Sequence, residues 1–100
     1  MLPTAKEIVD VAKRLNLTLK RRLGGYSIVN KECCAVAALS VSLGSKNGGF
    51  VLADTVYGLS YCMGLSIGFE GYENGNIYPN REEFQNGYEV GKDVRELCSI

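Results

Sequence analysis

The stretch NREEFQNGYEVGKDVRELC, from Asn80 to Cys98, decides how the chain is read. Asn80 followed three residues later by Glu83 is a capping box, which opens a helix by pairing backbone donors that the first turn leaves unsatisfied. Phe84, Gly87, Tyr88, Gly91, Val94, Leu97 and Cys98 then recur at helical spacing and share one inward face. Two of those positions are glycines four residues apart. Gly64-Leu65-Ser66-Ile67-Gly68 repeats the arrangement upstream, in a segment that Ser60 is expected to cap and that runs to about Tyr72. An interior helical glycine costs up to about 1 kcal/mol relative to alanine. Four of them cost about 3–4 kcal/mol, a large share of a small domain's stability. Close helix–helix approach is the simplest compensation for Gly64, Gly68, Gly87 and Gly91. A flat backbone surface that admits a ligand or a partner helix is the alternative, and misassigned loops are the third reading.

Upstream, Thr4 and Glu7 form a second capping box. Ile8, Ala12, Leu15, Leu19 and Leu23 extend it into a helix over Thr4–Leu23 that Gly24-Gly25 ends. Leu15–Leu19 also alternates as a short strand would, and Tyr26–Val29 reads as an extended connector. Asn30 is expected to cap a helix over Lys31–Leu43, apolar on most of its circumference and so suited to the middle of a bundle. Gly44–Gly49 is a turn, and a short helix over Phe50–Tyr57 is closed by Gly58. Asn74-Gly75-Asn76 is a loop, followed by extended Tyr78-Pro79. The expected fold is all-α: one domain over 1–100, a compact bundle of about five short helices, with room for a minor strand near residues 15–19 or 26–29.

The composition is that of an ordinary globular chain, with 46% apolar residues, 22% charged residues and no net charge. Its charge is unevenly spread. Residues 1–31 carry seven basic side chains against Glu7 and Asp10, a net of +5; the remainder carries four basic and nine acidic ones, a net of −5. The basic cluster Lys13, Lys20, Arg21 and Arg22 is the one candidate nucleic-acid surface, placed on a face of the first helix. A solvated face explains it without a partner and is the favoured reading, since a sequence pI of 6.2 lacks the usual basic excess. The uncharged runs Cys33–Ser45 and Thr55–Phe69 fall short of the roughly 20 residues a membrane-spanning helix needs, so no membrane partner is expected.

Cys33, Cys34, Cys62 and Cys98 are read as buried thiols in a reducing, cytoplasmic setting, because the start MLPTAKEIVD is charged and carries no secretory pattern. Two disulfides or a metal site are weaker readings. The chain has no histidine and no Cys-x-x-Cys pair, and adjacent cysteines on a helix point about 100° apart. No metal or other cofactor is expected. Without histidine there is no Ser-His or Cys-His pair and no imidazole base, and the carboxylate pairs Glu70/Glu73 and Glu82/Glu83 stand without a surrounding polar cluster. Catalysis is not expected. The pattern G-Y-E-x-G at Gly71 and Gly87 is too closely spaced for a repeat unit and lacks the features of a phosphate loop. Tyr61 and Tyr72, near Glu70 and Glu73, offer ring faces and hydroxyls to a cationic or polar ligand, or serve as half-buried core edges.

Cys34-Ala35, Ala38-Leu39, Gly58-Leu59-Ser60, Gly68-Phe69-Glu70-Gly71 and Tyr88-x-x-Gly91-x-x-Val94-Arg95 come in an order that resembles short, uncharacterised helical proteins of bacteriophages and mobile elements. The resemblance covers about two-thirds of the chain and leaves out the first helix. It implies a bacterial cytoplasmic accessory protein, and it brings no activity and no functional residue. The expected function is therefore a non-enzymatic protein-interaction module that self-associates as a homodimer, its opposite charge patches pairing. Nucleic-acid binding through the first helix and a tyrosine-lined ligand pocket are the alternatives. Another protein is a second class of partner.

Overall fold

Thr4 caps α1 (Ala5–Arg14): its Oγ1 accepts from the Glu7 backbone N–H, and the Glu7 carboxylate accepts from the Thr4 N–H. The computed structural model describes residues 2–72 and 81–100. The readings at Asn74–Asn76, Tyr78-Pro79 and the Asn80 cap lie outside those residues. The first helix ends at Arg14, well short of Leu23, and the reason is local. Asn16 adopts φ 58°, the Leu17 N–H donates to the Ala12 carbonyl at 2.8 Å, and the Asn16 N–H donates to the Lys13 carbonyl at 3.0 Å. This is a Schellman closure with asparagine in the left-handed position that glycine usually takes.

After that turn the chain makes a small mixed sheet, so the all-α label is imprecise: strands stand at both places where a minor one was expected, and a third joins them. Its strands are β1 (Thr18–Leu19), β2 (Tyr26–Ser27) and β3 (Glu32–Cys33), in the spatial order β1-β3-β2. β3 lies parallel to β1, with Leu19 opposite Cys33, and antiparallel to β2, with Tyr26 opposite Cys33. Both segments with strand character, Leu15–Leu19 and Tyr26–Val29, thus contribute. Leu19 and Cys33 point inward from β1 and β3 and are buried. The helix expected from Lys31 starts later, as α2 (Ala35–Ser42). Lys31 sits at φ 53°, Glu32 and Cys33 pair in the sheet, and Cys34, not Asn30, is the cap, its Sγ accepting from the Ala37 N–H at 3.5 Å.

Residues Ala35 to Ser40 of α2 are all buried, so the helix without a polar face occupies the centre of the molecule. The Oγ of Ser40 accepts from the Ala53 N–H at 3.2 Å and holds α3 (Val51–Tyr57) against it. Gly58, at φ 95°, separates α3 from α4 (Leu59–Glu70); it stands at the N-terminal boundary in place of the expected Ser60. α5 (Arg81–Cys98) buries Phe84, Gly87, Gly91 and Val94 as its periodicity requires, whereas Leu97 is 59% exposed rather than inward.

Backbone against backbone is the contact between α4 and α5. A Cβ at Gly64 would overlap the Phe84 carbonyl oxygen, and one at Gly68 that of Tyr88. A Cβ at Gly87 would overlap the carbonyl oxygen of Tyr61, and one at Gly91 that of Leu65. The four glycines that each helix alone would penalise allow two helices to touch without intervening side chains. The remaining core gathers Ile8, Leu39, Tyr61, Leu65, Phe69 and Val94 between α1, α2, α4 and α5. Tyr61 is fully buried, and its hydroxyl donates to the Pro3 carbonyl at 2.9 Å, which ties the N-terminus to α4.

Candidate functional site

Glu70 is the last residue of α4, and Gly71 ends the helix in the left-handed conformation at φ 86°. The Arg21 guanidinium forks onto the Glu70 carbonyl, Nε at 3.2 Å and Nη2 at 2.8 Å, where the negative end of the helix dipole favours a cation. The next residue, Arg22, lies at φ 63° and donates its backbone N–H to Glu70 Oε2 at 2.5 Å. One carboxylate oxygen is thereby used. The other, Oε1, is buried and has no hydrogen-bond partner among the described residues.

The Glu70 side chain lines a cleft of about 390 Å³, together with Arg22, Gly24, Cys34, Phe50, Ser66 and Tyr72. Four pieces of the fold meet there: the turn after β1, the cap of α2, the residue before α3, and the last turn of α4 with Tyr72 beyond it. The aromatic rings of Phe50 and Tyr72 provide apolar wall, Ser66 a hydroxyl, and Glu70 and Arg22 opposite charges. Cys34 contributes a thiol to this lining. Burial pushes its thiol above the usual range, and the nearby Glu70 carboxylate adds to this despite the opposing pull of backbone N–H groups. Burial likewise raises Cys33 and Cys62 to about 12, helped by Cys34 in the first case and by Asp54 in the second. All four cysteines are free thiols, Cys33, Cys34 and Cys62 buried and Cys98 partly so. Among the described residues no group of three His, Cys, Asp or Glu side chains is placed to hold a metal ion, and no helix is long and apolar enough to cross a membrane.

The structure disperses the basic cluster expected on the first helix. Only Lys13 belongs to α1; Lys20 follows β1, and Arg21 and Arg22 form the turn against α4. Lys20 pairs with Glu32 at 3.5 Å. Within the basic first third of the chain, Lys20 thus meets an acidic residue of the remainder inside one molecule. Of the two tyrosines expected to share a pocket, Tyr72 lines the cleft and is 60% exposed, while Tyr61 lies in the core and tilts against Tyr57 at a ring separation of 6.5 Å. Gly64, Gly68, Gly87 and Gly91 meet at the α4–α5 contact. Sequence reasoning missed Gly24, Cys34, Phe50 and Ser66 as lining residues, because only the sheet and the α2 cap bring those distant positions together.

A second feature lies on α3 and the start of α4. Val51, Leu52, Thr55 and Val56 of α3 and Leu59 of α4 are all exposed, and none is charged. Ala53 is the only residue α3 buries completely. No protein-family model, curated protein or solved structure matches the chain.

Proposed function

We propose that the protein is a non-enzymatic interaction module that pairs with a second copy of itself through the outer face of α3. The observation that carries this reading is the exposure of Val51, Leu52, Val56 and Leu59, at 75%, 38%, 56% and 61%. Apolar side chains gathered on one helical face and left in water are the usual mark of a surface that another protein covers. A second copy is the partner this face fits. Two-fold pairing sets each residue close to its own counterpart, so a charge near the axis repels itself, and this face carries none. A cytoplasmic setting agrees with three buried free thiols. The assignment to a bacterial mobile element rests on the order of short motifs from Cys34 to Arg95.

Sedimentation equilibrium tests the proposal. The wild-type chain is expected to be a dimer, and Val56→Lys or Leu59→Glu, which place charge on the contact, are expected to yield folded monomers. A wild-type monomer at every concentration and salt level overturns it.

A further inference from the structure

The cleft at the end of α4 combines three things that point to a ligand: a concave space, aromatic wall and an acceptor with nothing to accept from. Burying a carboxylate oxygen without a donor is costly, and buried polar groups nearly always find a partner. One hydrogen bond, from the Arg22 N–H to Oε2, holds the carboxylate, and the Arg21 guanidinium holds the backbone carbonyl of the same residue; Oε1 goes unanswered, and a small rotation of the side chain turns it to the cleft. The space beside it, about 390 Å³, falls within the size range of small-molecule sites. Phe50 and Tyr72 line the same space, and aromatic faces attract cations as well as apolar groups.

We propose that this cleft binds a small primary ammonium compound with an aromatic or apolar body. The ammonium donates to Glu70 Oε1, which shifts slightly towards the cleft, and the body lies between Phe50 and Tyr72. A charge-assisted bond of this kind is worth more than one between neutral groups, so a neutral analogue of the same shape should bind much less well. Arg22 stands on the rim with its own positive charge, and it separates two kinds of ammonium ligand: a simple amine ignores it, whereas a zwitterion gains a carboxylate contact there. The site is independent of the α3 face, since none of Val51, Leu52, Val56 and Leu59 lines it.

Phenethylamine, its neutral analogue 2-phenylethanol and phenylalanine are suitable probes, titrated into the full chain and followed by calorimetry and by amide chemical shifts. Phenethylamine is expected to shift resonances of Cys34, Ser66 and Tyr72, and to bind about tenfold or more tightly than 2-phenylethanol. Glu70→Gln removes the charge while keeping an oxygen for the Arg22 N–H, and is expected to abolish the preference for the amine. Ser66→Met, which narrows the space one helical turn before Glu70, is expected to weaken both probes. Tighter binding of phenylalanine than of phenethylamine, lost in Arg22→Ala, assigns the ligand to the zwitterions. Absence of phenethylamine binding at millimolar concentration, or equal binding of amine and alcohol to the wild-type chain, overturns the proposal. The monomeric Val56→Lys variant is expected to retain amine binding, so failure of the dimer proposal and failure of this one are separately visible.

Discussion

Gly64 shows how one missing methyl group can hold a fold together. The space its Cβ would need is occupied by the Phe84 carbonyl oxygen, and a backbone carbonyl cannot step aside as a side chain tip can. Gly64→Ala is therefore expected to destabilise the protein by about 1–3 kcal/mol in urea denaturation, despite alanine's better helix propensity. At the thiols the argument runs through protonation. Cys33 and Cys62 titrate near 9.0 when unfolded and near 12 when folded, chiefly because burial disfavours the thiolate. The unfolded chain releases these protons first. Their contribution to stability is thus fully present below pH 9 and is lost as pH rises from 9 towards 12. Melting temperatures taken from pH 8 to pH 11 should show that decline, and Cys62→Ala should make it shallower. Cys34 and Tyr61, raised in the same direction by burial, steepen it further.

Elements were legible where their signals are local. The Thr4–Glu7 capping box, the Gly58 break and the inward face of α5 at Phe84, Gly87, Gly91 and Val94 all stand in the structure as the residues specify. The sheet was legible only as strand character at residues 15–19 and 26–29; β3 and the pairing were not, because each strand is two residues long, so alternation has almost nothing to repeat, and β1 finds its partner only through a parallel pairing with β3. Asn16 held the missed clue, since asparagine tolerates the left-handed conformation better than other residues with a side chain. Substituting it tests this directly. Asn16→Gly should leave stability nearly unchanged, whereas Asn16→Val should cost about 1–2 kcal/mol, because a branched side chain resists positive φ. Cys34 misled in the opposite way. A thiol is an uncommon cap and asparagine a common one, so Asn30 points to a helix start at Lys31, four residues before Ala35. The cleft inherits both errors: Arg22 and Cys34 converge only because α1 stops at Arg14 and α2 waits until Ala35.

For the whole molecule, the sequence shows a strong charge imbalance between its parts, and the fold brings the basic part against the rest at a few points. Lys20 meets Glu32, Arg21 meets the Glu70 carbonyl, and the Arg22 N–H meets the Glu70 carboxylate. The contact proposed through the outer face of α3 is apolar and does not depend on those charges. The dimer is expected to persist with a nearly constant dissociation constant between low and high salt in sedimentation runs, since an uncharged interface offers nothing for ions to screen. Dissociation that rises steeply with salt would return the contact to the charged surfaces. The seam between α4 and α5 carries one more implication, for how the protein tolerates change. At Gly64, Gly68, Gly87 and Gly91 every possible substitution adds atoms where carbonyl oxygens already sit, so no conservative replacement exists. In a library of random variants selected only for folding, those four codons should stay glycine while Glu82, Glu89 and Lys92 on the outer side of α5 drift freely.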